Sequence, residues 1–82
     1  MAKARVRVPK SLEDFTRSDW KKAIREASLG RENTRIAEMY FLGGIPHVEI
    51  GAELGMSRSA VSKRMPGIVD KIERTARKLH MI

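Results

Sequence analysis

Arginine, lysine and serine side chains are concentrated in one short segment, which follows directly after a glycine that can turn the chain. An arginine can donate two hydrogen bonds to the major-groove edge of guanine, and a lysine can bond a base or hold a phosphate. Short serine side chains let a helix lie deep in the groove. We therefore predict that this segment contacts double-stranded DNA. The residues assigned to that contact are Ser57, Arg58, Ser59, Ser62, Lys63 and Arg64.

The segment from Pro46 to Met65 has the spacing of two short helices joined by a three-residue turn. If Gly55 is the turn glycine, Gly51 falls where the two helices touch and only a small residue fits. Ser57 is then a good N-cap for the second helix, which would be the recognition helix. The positions that a helix-turn-helix must bury are occupied by Ile50, Leu54, Met56 and Val61.

Single residues of this segment have different expected roles. Arg58 is the residue that we expect to read bases, and Lys63 either reads a base or holds a phosphate. Ser57 can present the helix N-terminus to a phosphate, or act as a cap alone. His47 is expected to be exposed where the first helix approaches the DNA backbone, and there it contacts a phosphate or nothing.

The net charge of +7 is distributed unevenly along the 82 residues. Residues 1–10 carry four basic side chains and no acid (+4), residues 11–54 carry six basic and eight acidic (−2), and residues 55–82 carry seven basic and two acidic (+5). Such flanking basic segments are typical of a polyanion binder, with a membrane surface or an acidic protein as alternatives. Lys3 and Arg5 belong to a predicted flexible basic arm, residues 1–14, that contacts DNA or is simply disordered.

Hydrophobic periodicity and capping residues predict an all-α fold with five helices and a helix-turn-helix. Thr16 and Asp19 resemble a capping box that opens the first helix. Pro66 is expected to end the fourth helix, because a proline disfavours a helical conformation in the residue before it. The later helices are predicted over about Glu32–Leu42, Pro46–Leu54, Ser57–Met65 and Gly67–His80. We assign residues 15–66 to DNA binding and residues 67–82 to a C-terminal helix.

That last helix has apolar residues at alternating spacings of three and four, as in the seam of a coiled coil. Two heptads are too short for a stable coiled coil, so this helix either completes the core or pairs with its copy. We expect Ile68 and Ile72 to point inward and Leu79 and Ile82 to point towards a partner, and assign all four to dimerisation. A homodimer also suits DNA binding, because two-fold sites are the usual way in which a helix-turn-helix gains affinity.

Several classes of function lack their required residues. The chain has no cysteine, and its two histidines are far apart in sequence, so no metal site, cofactor or enzymatic activity is predicted. No apolar run approaches the roughly 20 residues that span a bilayer, and the N-terminus lacks the apolar core of a signal peptide. We expect a cytoplasmic protein that does not enter a membrane.

The stretch from Phe15 to about Met65 resembles the DNA-binding domain of the plasmid-encoded KorA/TrfB-type transcriptional repressors. The matching pieces are FTRSDWKKAI, TRIAEMYFLGGIP and AELGMSRSAVSK, and the resemblance covers about three fifths of the chain. It implies a dimeric repressor that binds a palindromic operator and blocks access to a promoter. It also implies that Ser57, Arg58 and Lys63 face the groove.

Two features depart from that family. Its members carry a glutamine at the position of Lys63, and they continue into a C-terminal dimerisation domain with strands. We therefore expect a minimal member in which the final helix dimerises. The segment YFLGGIPHVEIGAELGMSRSAVSKRM is also similar to the promoter-reading fourth region of bacterial sigma factors. A further alternative is an adaptor that binds a protein of the transcription machinery through the same basic surface.

Overall fold

Four α-helices form most of the protein in the computed structural model, which describes Val6 and residues 8–82. A 3-10 turn over Lys10–Leu12 precedes the first helix, and a π-helical turn over Glu38–Leu42 continues the second. No strand occurs within these residues, so the predicted all-α class is confirmed. The helices are α1 (Arg17–Glu26), α2 (Arg31–Ala37), α3 (His47–Leu54) and α4 (Arg58–Lys78).

Helix α1 begins as the sequence predicts. The Thr16 hydroxyl accepts a hydrogen bond from the backbone N–H of Asp19 at 3.1 Å, and the Asp19 carboxylate accepts one from the Thr16 N–H at 3.0 Å. This reciprocal pair satisfies two backbone donors that a helix N-terminus otherwise leaves free. Phe15 packs edge-on against Trp20, with ring centroids 5.2 Å apart, and Trp20 stacks on Phe41 at 4.2 Å.

A three-residue turn, residues 55–57, joins α3 to α4. Gly55 has a φ of +71°, a conformation that residues with a Cβ rarely adopt. The Gly51 carbonyl accepts hydrogen bonds from the Gly55 N–H and, at 2.8 Å, from the Met56 N–H. A Cβ on Gly51 would lie 2.3 Å from the Met56 carbonyl oxygen. The prediction that only a small residue fits there is confirmed.

Helix α4 corrects the predicted number of helices. The expectation of separate fourth and fifth helices is wrong, because α4 continues through Pro66 to Lys78 without interruption. Pro66 lies on the exposed side of the helix, whereas the opposite side carries an apolar stripe on both sides of the proline. The stripe comprises Val61, Met65, Ile68, Val69, Ile72 and Ala76. Because both halves pack on one core, they stay aligned although the proline removes a backbone hydrogen bond.

The core contains side chains from all four helices and from the 3-10 turn. Ile68 and Ile72, at 1% and 0% exposure, are buried inside the monomer, so their assignment to a dimer contact is wrong, although the expectation that they point inward is confirmed. Leu79 and Ile82 are 36% and 41% exposed. Further members of the core are Leu12, Ala23, Ile24, Ile36, Ala37 and Ile50.

The part of the predicted flexible arm that the structure describes is attached to the domain. Leu12 is 1% exposed, and Val6 and Val8 pack against the core. The Ser11 hydroxyl donates a hydrogen bond of 2.7 Å to the Glu73 carboxylate on α4. The sequence pattern does not indicate this attachment, because its partners are 62 positions apart.

Replacing Pro66 with alanine is expected to stabilise the protein by about 1–3 kcal/mol, because alanine restores a backbone N–H and removes a clash with the carbonyl one turn earlier. For a domain of this size, the melting temperature should rise by about 4–8 °C per kcal/mol. Thermal unfolding measures this change. The control is Gly67→Ala, where a Cβ would meet no atom within 4 Å. It should stabilise by only about 0.5–1 kcal/mol. An unchanged Pro66→Ala midpoint would contradict the expectation.

Candidate nucleic-acid interface

The first two turns of α4 expose a set of polar and basic side chains. At about 100° per residue, Arg58, Ser59, Ser62 and Lys63 project within an arc of about 140° on one side of the helix. Arg58, Ser59 and Lys63 are exposed, and Ser62 is half-buried. We call these four residues the polar arc. The structure thus brings together four of the predicted DNA-contacting residues.

The two cations of the polar arc are available to a ligand. Neither Arg58 nor Lys63 forms an ion pair or a hydrogen bond with another residue in the described part of the chain. Helix α4 also has no acidic residue before Asp70, so its first half is uniformly basic. A polyanion that approaches this end of α4 therefore meets positive charge that the protein has not already neutralised.

Ser57 lies at the start of the same surface. Its hydroxyl accepts a hydrogen bond of 3.0 Å from the Ala60 N–H, so it is the N-cap of α4. The prediction of this cap is confirmed. A cap satisfies one of the orphan backbone donors of the first turn and fixes the residue at which α4 begins. That starting point sets the rotational position of the polar arc.

Arg64 lies on a different side of α4 from the polar arc. Its guanidinium is 2.7 Å from the Glu32 carboxylate and donates a hydrogen bond of 3.0 Å to the Asn33 side-chain oxygen, so it faces α2. The signal for this orientation was present in the sequence: Arg64 precedes the buried Ile68 by one helical turn and so lies at the edge of the apolar stripe. The structure does not place it with the other predicted contact residues.

Helix α2 holds both members of the α3–α4 pair. Glu32 and Asn33 bind Arg64 of α4, and Arg35 lies 4.0 Å from Glu53 of α3. Exposed ion pairs of this kind contribute little stability individually. Their value here is orientational, because they connect α2 to each helix at a separate point. No sequence motif indicates this role for the α2 residues.

The expectation that His47 is exposed is wrong. The imidazole is only 6% exposed and packs against Tyr40, with ring centroids 5.1 Å apart. Its Nδ1 is 2.8 Å from the Ser62 hydroxyl oxygen. Its Nε2 is buried and has no hydrogen-bond partner in the described part of the protein. The physical reason is that the first turn of α3 faces the side of α4 that carries Ser62. His47 therefore contacts a residue of the polar arc, and its position does not suit a phosphate contact.

The pKa of the His47 imidazole lies below its ordinary value of 6.5. Burial is the main cause, because the protein interior solvates the charged ring poorly, and the positive charge of Arg58 adds to the effect. The neutral ring is consequently the stable form at neutral pH.

Lys3 and Arg5, the other predicted contact residues, lie outside the residues that the structure describes.

No group of three or more histidine, cysteine, aspartate or glutamate side chains is placed to hold a metal ion in the described part of the chain. None of the helices described there is both long and apolar enough to cross a membrane.

Comparison with protein-family models, curated proteins and solved structures found no match to this chain.

The stability of the protein should decrease as the pH falls below about 6.5. The pKa of His47 is lower in the folded than in the unfolded state, so the unfolded state binds more protons and the free energy of unfolding rises with pH. The contribution is therefore complete above the unfolded pKa and is lost as the pH falls through the folded one. Urea unfolding between pH 5 and 8 measures it. His47→Phe has no such group, so the wild type should lose more stability than this variant on acidification. Parallel curves would contradict the assignment.

Proposed function

We propose that this protein is a sequence-specific, double-stranded-DNA-binding transcriptional repressor, with the N-terminal half of α4 lying in the major groove. The observation that carries the proposal is the polar arc at the start of α4, which a tight glycine turn fixes to the preceding helix. Its Arg58 and Lys63 are exposed and have no ion-pair partner among the described residues. In a helix-turn-helix, the residues at this end of the second helix contact base edges, while the first helix crosses the backbone.

The dimensions of α4 support this mode of binding. A helix with its side chains is about 10–12 Å across, and the major groove is about 12 Å wide. Ser59 and Ser62 are short, so the helix axis can approach the base edges closely. In this arrangement Arg58 pairs with guanine, and Lys63 bonds a base or a phosphate. Ser57 presents the capped helix N-terminus to the backbone.

We further propose that two copies bind a palindromic operator. Leu79 and Ile82 are partly exposed apolar residues beyond the C-terminal end of α4. Arg58 and Leu79 are separated by about 30 Å along the helix, at 1.5 Å per residue. A contact between two copies at the C-terminal end therefore leaves both polar arcs free. The resemblance to KorA/TrfB-type repressors supports repression by promoter blocking as the outcome of binding.

Selection of bound duplexes from a random DNA pool tests the proposal. At near-physiological salt, we expect a palindrome. Its half-sites should be separated by one turn of the DNA helix, about 10–10.5 base pairs, or by a multiple of one turn. Sequencing of the bound pool gives this result directly. A single unpaired half-site would contradict the dimer only. Recovery of unrelated sequences, or of none, would contradict sequence-specific binding and favour an adaptor that binds protein.

The variant Arg58→Ala is expected to lose discrimination between the operator and random DNA by about 1–3 kcal/mol, because a bidentate contact to guanine is lost. Titration of labelled operator and random duplexes with the wild type and with the variant measures the affinity of each protein for each DNA. Arg74→Ala is the matched control, since Arg74 is exposed on the same helix and paired with Asp70 at 3.1 Å. It should change the affinity for both DNAs alike. Equal losses on both DNAs for Arg58→Ala would refute base reading by this residue.

A further inference from the structure

A buried histidine touches a hydroxyl of the candidate DNA-binding surface. His47 belongs to the first turn of α3, and Ser62 belongs to the second turn of α4. The distance from His47 Nδ1 to Ser62 Oγ is 2.8 Å, and His47 Nε2 is buried without a partner in the described part of the protein. The ring is held in place by Tyr40, whose centroid is 5.1 Å away. Among the described residues, one of the two ring nitrogens therefore has a hydrogen-bond partner and the other has none.

The position of the imidazole hydrogen follows from this arrangement. A neutral imidazole has a hydrogen on one nitrogen and a lone pair on the other. A hydrogen on Nε2 would be a buried donor without a partner, which is rare in folded proteins, whereas an unsatisfied acceptor is less so. A hydrogen on Nδ1 is satisfied by the Ser62 hydroxyl oxygen. This balance favours the tautomer in which His47 Nδ1–H donates and the Ser62 oxygen accepts over the one in which the Ser62 hydroxyl donates to Nδ1.

The hydroxyl of Ser62 would have a different partner without this bond. A serine or threonine inside a helix commonly donates its hydroxyl hydrogen to the carbonyl four residues earlier. Thr75 of the same helix does this, with its Oγ1 at 2.9 Å from the Lys71 carbonyl oxygen. Ser62 makes no such bond to Arg58 among the residues described, and its oxygen lies against His47 instead. Its hydroxyl hydrogen is consequently not used within the helix.

We propose that His47 is a positioning residue for base recognition, whose Nδ1–H bond to Ser62 holds the serine hydroxyl as a hydrogen-bond donor towards the DNA. This inference rests on the proposed function. The hydroxyl then selects a base with an acceptor on its major-groove edge, namely guanine, adenine or thymine. Cytosine presents an amino donor on that edge, which could meet only the remaining lone pair of the Ser62 oxygen and would leave the hydroxyl hydrogen unpaired, so cytosine is disfavoured at that position.

The tautomer of His47 can be measured without DNA. Nitrogen-15 chemical shifts of the imidazole rings in the free protein near pH 7.5 distinguish hydrogen on Nδ1 from hydrogen on Nε2. We expect the Nδ1–H form for His47, and a shift towards the Nε2–H form in Ser62→Ala. His80, which is exposed, is the internal reference within the same spectrum. The Nε2–H form in the wild type would overturn the inference.

The effect on recognition is measured by selection from the random pool with three variants. Ser62→Ala removes the hydroxyl, and His47→Phe keeps a ring of similar shape but removes the donor. In both variants, discrimination against cytosine should fall about two- to tenfold, at the same single position of each half-site. A loss of this size corresponds to a single net hydrogen bond. His47→Asn retains a side-chain N–H near the place of Nδ1 and should preserve the preference. Thermal unfolding identifies the temperature at which all variants are folded.

The outcomes separate this inference from the proposed function. If the wild type selects a motif and His47→Phe retains the same preference at every position, the positioning role is overturned and the repressor proposal stands. A uniform loss across all positions would also overturn it, because that result indicates a general loosening of α4. If the wild type selects no sequence, the proposed function fails, and the role of Ser62 fails with it. A double variant that combines Ser62→Ala with His47→Phe should lose no more discrimination than either single variant, since each substitution removes the same bond.

Discussion

The apolar face of α4 is the constraint on which the rest of the structure depends. Its six buried residues recur from Val61 to Ala76, and each is at most 4% exposed. The helix has 21 residues and is about 31 Å long at 1.5 Å per residue. Its length is close to the longest dimension of the protein, 34 Å. The other three helices, and the turn that contains Leu12, contribute to one core with it.

This burial also determines what α4 presents to solvent. Burial of this face fixes the rotation of α4 about its axis, and therefore the direction in which every other side chain of the helix points. The polar arc is thus oriented by residues that never touch a ligand. The contact between Gly51 and Met56 fixes the start of α4 against α3, because the backbones meet there with no room for a side chain. A surface fixed in this way loses little conformational freedom when it binds.

Two groups of cations lie on α4, one in the second half of the helix and one in the polar arc. Two of the four cations in the second half of α4 have a nearby acid: Arg74 pairs with Asp70, and Arg77 pairs with Glu73. The cations of the polar arc have none among the residues described. Positive charge without a nearby acid among these residues is thus present at the end of the helix where Arg58 lies. His47 beneath that end stays neutral, so it adds no further positive charge to the interior.

The sequence by itself determined the features that arise between residues close together in the chain. The capping box of Thr16 and Asp19, the Ser57 cap and the left-handed Gly55 involve neighbours within three or four positions, and capping and turn rules describe such contacts well. The requirement for a small residue at Gly51 could be predicted too, because its contact with Met56 is equally local. The all-α class followed from these signals and from apolar periodicity.

Tertiary structure alone decided the features whose partners are distant in sequence. Local rules end a helix before Pro66, but a stripe that is buried on both sides of the proline outweighs a local cost of about 3 kcal/mol. His47 contacts Ser62, which is 15 positions away, and Arg64 is oriented by Asn33, which is 31 positions away. Ser11 is attached to Glu73, which is 62 positions away. Periodicity indicates which side of a helix is apolar, but the neighbour that each flanking residue meets is set only when the helices pack.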